Sequence, residues 1–228
     1  MVELEQTLLR ITTIALPAVV AITFHEAAHG WVAWKLGDDT AWREGRVTFN
    51  PVRHIDPFGT LILPALLYFT TGFLFGWAKP VPVNFMRLRN PRFGMVLVAA
   101  AGPGINLALA VLSAFLLRFA GDLPDFASSW AVANLTASVF FNAILAAFNM
   151  IPLPPLDGGR VAVGLLPRPL ARPLARLEHW GLFILIGLLV IVPMVGSQLG
   201  HNVNILSWLL MPVVEYIIHV ITVVTGIV

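Results

Sequence analysis

Residues 11–34 read ITTIALPAVVAITFHEAAHGWVAW, an apolar run with Glu26 as its one carboxylate and no Lys or Arg. A helix needs about 20 predominantly apolar residues to cross a bilayer. This stretch is long enough, yet it carries His25, Glu26 and His29 in its middle. Positions four apart on an α-helix lie about 40° from one another and one turn along. The imidazoles of His25 and His29 therefore leave one face and can hold one metal ion, with Glu26 placed between them to take a proton from a metal-activated water. Ionisable groups are costly in a lipid-embedded helix and mark function by default. The bland alternative is a buried polar cluster bonded to backbone carbonyls.

The rest of the chain supports a membrane setting. Of its 228 residues 58% are hydrophobic and 11% charged, and its mean hydropathy is +0.84. An ordinary soluble domain is about 25% charged, so a soluble or disordered chain is excluded. The net charge of +2 and the lack of a nucleic-acid-reading motif argue against a nucleic-acid partner. With no cysteine there is no disulfide framework and no thiolate metal site, which leaves His and carboxylate ligands. Further charge-free runs lie at 57–78, 93–117, 126–156 and 179–214. The last breaks between Pro193 and Asn202 into helices near 180–195 and 203–226. Glu3 and Glu5 flank the first run and no cleavage-site pattern follows, so the N-terminus does not read as a signal peptide.

These runs predict an all-α polytopic membrane protein of five to six transmembrane helices with a short β-hairpin or re-entrant insert. It forms one membrane-embedded domain over 1–228, with a metal-site core over about 8–165 and C-terminal helices over about 178–228. Short strands are expected at Arg46–Phe49 and Val81–Val83, paired as an edge that receives an extended substrate. Segment 57–78 is ambiguous, because Pro64 and Gly72 interrupt it. Basic residues gather on the inner face. A crossing segment would divide the fourteen Lys and Arg nine to five, whereas one that dips and returns puts twelve inside and leaves Arg10 and Arg118 outside. The re-entrant reading is preferred. It places the start of the first helix outside and the end of the last helix inside.

A catalytic zinc usually takes three protein ligands and a water. Residues 149–160, NMIPLPPLDGGR, end a long apolar run. Three prolines stop the helix, and Gly158 and Gly159 permit a tight turn that aims Asp157 back into the protein. Asp157 as a cap of the next helix is the alternative.

Three motifs carry a family resemblance. His25-Glu26-Ala27-Ala28-His29 in a membrane helix, with Asn149 through Gly159 ending in Leu-Asp-Gly, resembles the site-2 protease family of intramembrane zinc metalloproteases. Ala101-Gly102-Pro103-Gly104-Ile105-Asn106 resembles that family's third signature, and all three occur in the family's order. The form is minimal, without the soluble peptide-binding or nucleotide-sensing domain of other members, so substrate choice falls to the membrane domain or to a separate screening partner. The resemblance implies one zinc ion held by His25, His29 and Asp157, Glu26 as general base, and Asn106 and Asn149 as substrate-binding residues. It implies an intramembrane zinc metalloendopeptidase that cleaves transmembrane segments of substrate proteins. Its setting would be a prokaryotic cell membrane, multi-pass, with the active site toward the cytosolic side.

Other polar residues are open in the sequence. His54 and Asp56 could support the metal site from an outer shell or form a loop turn. Glu215 and His219, four apart, suit an intrahelical hydrogen bond better than a second metal. Gly and Ala over 99–110 suggest close helix packing. The rival function is a metal or proton transporter using His25, Glu26 and His29. It would need polar residues lining a path to both faces, and the outer halves of these helices offer almost none.

Overall fold

The structure is a computed structural model in which residues 2–71, 76–201 and 205–227 are described. Ten α-helices appear among them. In order they are α1 (Val2–Lys35), α2 (Thr40–Arg43), α3 (Leu63–Thr71), α4 (Pro91–Ala120) and α5 (Asp125–Asn149), then α6 (Asp157–Leu165), α7 (Arg168–Arg176), α8 (Glu178–Ile186), α9 (Val192–Gln198) and α10 (Ile205–Thr225). Five stretches are long and apolar enough to cross a membrane: Ile11–Lys35, Pro91–Ala120, Asp125–Asn149, Glu178–Gln198 and Ser207–Thr225.

Small residues set the packing. Lipid is as apolar as leucine, so helices associate by close contact rather than by escape from water. Ala110 and Ala114 of α4 meet Val139 of α5 and Ile221 of α10. Ala143 and Ala147 of α5 meet Leu210 and Val214 of α10. Helices α1, α4 and α5 pack on one another, and α6 packs against α4. Two wide π-type turns, Pro57–Ile62 and Gly187–Ile191, lie just before Pro64 and Pro193. Proline offers no N–H and crowds the preceding turn, and the wider winding accommodates it.

The insert between α1 and α4 begins and ends at one end of the bundle, because Arg89 N donates to Leu36 O at 2.9 Å. Within it the chain leaves at Pro57, and by Trp77 it has returned. Trp77 N donates to Gly59 O at 3.0 Å and Lys79 N to His54 O at 2.9 Å. The described ends of the segment, at Pro57–Gly59 and Trp77–Lys79, lie side by side, in keeping with the re-entrant reading.

Two expectations are corrected. No strand occurs among the described residues: 47–49 bend and 81–83 run extended without a ladder. Pro80 and Pro82 have no N–H to donate, and Val81 N donates to Glu26 Oε2 instead, at 3.0 Å. The two segments are joined by a side chain, Arg46, whose Nη2 donates to Lys79 O at 2.7 Å and Pro80 O at 3.3 Å. Second, α10 runs parallel to α4, with Arg118 Nη1 donating to Thr225 O at 3.1 Å. Its last turn lies at the Arg118 end, opposite to the side expected. Counting charges treats each apolar run as one crossing, whereas here α8 begins beside Arg160 and α10 also begins at the Asn149 end of α5.

Candidate metal centre

Helix α1 presents His25 and His29 one turn apart, and both are buried. Asp157 arrives from a different direction. Helix α5 ends at Asn149, Pro152, Pro154 and Pro155 prevent its continuation, and residues 150–156 turn the chain before α6. A Cβ on Gly158 would overlap Met150 O, and one on Gly159 would overlap Pro154 N. Only glycine lets α6 sit in the crook of that turn. The cap of α6 is Leu156, with no side-chain cap bond, so the capping alternative for Asp157 is not what forms.

The three side chains converge. His25 Nε2 and His29 Nε2 are 3.0 Å apart, and they lie 3.2 and 3.3 Å from Asp157 Oδ2. Tetrahedral zinc with bonds of about 2.0–2.2 Å spaces its ligand atoms roughly 3.3–3.5 Å apart, close to this triangle. Asp157 Oδ2 is buried and receives no well-directed hydrogen bond. That orphaned oxygen is accounted for if a cation stands among the three. They form the one cluster of three or more potential ligands among the described residues.

Hydrogen bonds behind the imidazoles fix which nitrogens face inward. His25 Nδ1 meets Asn106 Oδ1 at 2.6 Å, and His29 Nδ1 meets Val98 O at 2.7 Å. Both oxygens only accept, so each Nδ1 carries the proton and each Nε2 presents a lone pair to the centre. The orientation of Asn106 is set in turn. Its Nδ2 donates to Ala21 O at 3.1 Å and to Asn142 Oδ1 at 2.8 Å. Asn142 Nδ2 donates to Ser138 O at 2.9 Å, and Ser138 Oγ lies 2.7 Å from Ser113 Oγ. Asn106 and Asn142 are both 0% exposed.

Helix α4 reaches this close because residue 102 is glycine. A Cβ there would stand 2.5 Å from His25 Cε1 and 2.5 Å from His29 Nε2. Glu26 is half-buried beside the trio on α1, its carboxylate held by Val81 N–H. The extended segment bearing Val81 is pinned at both ends: at 79–80 by Arg46, and at Asn84 by the buried Asp38, whose Oδ2 accepts from Asn84 N at 2.6 Å.

The remaining candidates stand apart from the trio. His54 is 3% exposed, with Nε2 on Thr48 O at 3.0 Å and Nδ1 without a partner. Asp56 forms the turn, its Oδ1 accepting from Gly59 N at 2.6 Å. Asn149 is half-buried at the end of α5, its Nδ2 donating to Leu145 O at 3.0 Å. Glu215 and His219 are exposed on α10, and the bond expected between them is not formed. Both point away from the helix surface that α5 and α4 cover.

Gly102, Asn142, Val98 O, Arg46, Asp38 and Val81 N were not singled out as site residues from the sequence. Asn142 had a readable signal, since it lies seven residues before Asn149 in an apolar run, two turns away on nearly the same face.

Fold and site together define a polytopic helical membrane protein with a buried His-His-carboxylate cluster able to hold a metal ion. The family model described as Peptidase family M50 matches residues 120–192. "Putative zinc metalloprotease YwhC" of Bacillus subtilis is 39% identical over 198 residues, covering 82% of this chain and 83% of that protein. "Putative zinc metalloprotease Rip2" of Mycolicibacterium smegmatis is 32% identical over 75% of this chain and 64% of its own length. The protein of the same name in Mycobacterium tuberculosis is 32% identical over 80% of this chain and 68% of its own. No solved structure matches the chain significantly. The chain belongs to peptidase family M50, the site-2 proteases. It is a membrane zinc metalloendopeptidase, and zinc is its cofactor.

Proposed function

We propose that this chain hydrolyses peptide bonds in membrane-spanning segments of substrate proteins, with His25, His29 and Asp157 holding one zinc ion and Glu26 acting as general base. The observation that carries the reading is the triangle of two Nε2 atoms and one orphaned carboxylate oxygen. Bound there, zinc supplies a Lewis acid that polarises a carbonyl and brings the pKa of water toward neutrality. Glu26 takes the proton of the attacking water and delivers it to the leaving amine. Val81 N–H holds Glu26 Oε2 and leaves the other oxygen for that proton. Asn149, at the end of α5 with its amide oxygen unengaged, binds the substrate backbone. Asn106 is assigned to holding His25 rather than to the substrate, because it is wholly buried and its amide is engaged on both sides.

A helical substrate hides its peptide bonds in its own hydrogen bonds and must unwind to be cut. The extended segment 79–84 beside Glu26 is where an unwound strand lies. The metal-centre end of the bundle faces the cytosol of a prokaryotic cell. What supports this is charge: the segments carrying Lys35 to Arg92 and Arg160 to Arg176 emerge at that end.

The test is reconstitution of purified protein with a single-span substrate, comparing wild type with Glu26→Gln. Cleavage disappears in the variant while its zinc content stays at the wild-type level. Zinc flux across the vesicle membrane without cleavage by wild type would instead assign the cluster to transport.

A further inference from the structure

Helix α7 reads RPLARPLAR over 168–176. Residues four apart share a face, so Arg168, Arg172 and Arg176 form one basic row within about 80° of arc. Leu170, Leu174 and Leu177 fall roughly opposite. The protein pairs several of its other arginines: Arg160 with Glu178 at 3.0 Å, Arg87 with Asp39 at 2.8 Å and Arg43 with Asp39 at 2.6 Å. The three of α7 are exposed, and among the described residues none meets a carboxylate. Here the charge has no carboxylate partner among the described residues.

The position of α7 supplies the partner. Its root is clasped by Arg92, the second residue of α4, which donates from Nε to Gly164 O at 2.7 Å and from Nη2 to Leu166 O. The crossing helix α4 begins at Pro91 and the apolar run of α8 at Glu178, two residues beyond α7. A helix held between two such starts lies at the level where hydrocarbon gives way to headgroups. Exposed Leu170 (58%) and Leu177 (37%) with half-buried Leu174 on one face, and unpaired arginines on the other, match that boundary. A soluble acidic protein would answer the arginines and leave the leucines bare, whereas a bilayer answers both.

We propose that α7 is an interfacial helix whose Arg168, Arg172 and Arg176 bind the headgroups of anionic phospholipids in the surrounding membrane. This goes beyond the protease reading and stands without it. Because the chain has no cysteine, Ala171→Cys in the full protein can carry a single fluorophore. The labelled protein is reconstituted in phosphatidylcholine vesicles containing phosphatidylglycerol or phosphatidylcholine with a nitroxide near the top of its acyl chain. At low salt and equal mole fraction, phosphatidylglycerol quenches about five-fold or more strongly, as one to three basic contacts dictate. The preference falls toward parity near ~1 M salt. It also falls in the triple variant Arg168→Gln, Arg172→Gln, Arg176→Gln, whose zinc content stays at the wild-type level and so reports an intact fold. Equal quenching by the two lipids in wild type, or a preference that the triple variant keeps, overturns the proposal. So does the absence of quenching by either lipid, which would place α7 in water. Protection of the label by soluble polyglutamate in preference to lipid would assign the face to an acidic protein and overturn it as well.

Discussion

The Nδ1–H of His25 has one acceptor, Asn106 Oδ1, 2.6 Å away across the α1–α4 contact. Asn106→Ala leaves that proton buried without a partner and frees the ring to turn. Zinc affinity, measured by competition with a chromogenic chelator, falls about 10- to 100-fold, the usual effect of losing such a support. Asn142→Ala weakens it in the same direction and by less, because it removes only one of the two acceptors that aim Asn106. A variant Asn106→Ala with wild-type zinc affinity and a raised KM alone would return Asn106 to a substrate-binding role. Gly102→Ala puts a methyl group 2.5 Å from both imidazoles, and the protein should purify folded and without zinc. Gly104→Ala, two residues on, meets nothing within 4 Å and binds zinc normally. The presence of Gly102 and Asn106 in a signature was plain from the sequence. Their tasks were not, since each depends on what stands on the neighbouring helix.

Among the elements, the insert is the one whose form local sequence could half describe. Its turns follow side-chain chemistry: Asn50 Oδ1 accepts from Val52 N at 3.1 Å, and Asn90 Oδ1 from Phe93 N at 3.2 Å. Its placement rests on buried groups far apart in the chain. Asp38 is 0% exposed and joins Asn84 N to the first turn after α1. Asp38→Ala deletes that tie and leaves Asn84 N without its acceptor. Hydrogen exchange of the amides over 79–84 then rises at least about ten-fold, with exchange in α4 and α5 unchanged. If 79–84 exchanges as in wild type, Arg46, Glu26 and His54 O hold the segment without Asp38. The expected strand pair failed here for a reason the sequence did contain. Prolines at 80 and 82 remove two donors, and the one between them, Val81 N, goes to a carboxylate on α1.

For the whole molecule the arrangement of ends is testable. Single cysteines at Met86 in the insert, Asp122 between α4 and α5, and Ile227 after α10 are accessible positions in a cysteine-free chain. In sealed, oriented vesicles an impermeant maleimide labels Asp122→Cys and Ile227→Cys from one side and Met86→Cys from the other. Labelling of Met86→Cys with Asp122→Cys would restore the crossing reading of 57–78, and labelling of Ile227→Cys with Met86→Cys would reverse α10. The sequence alone determined the membrane class, the long apolar runs and the residue types of the proposed metal site. Hydropathy and i, i+4 geometry are local properties, summed over neighbours along the chain. Only the tertiary structure decided that the insert returns to its own side, that α10 follows α4, and that Asn106 serves His25. These rest on contacts between residues tens of positions apart, such as Arg89 N on Leu36 O, Arg118 on Thr225 O and Asn106 on His25. No local pattern encodes them, because which carbonyl a buried donor finds depends on how closely small residues let the helices approach.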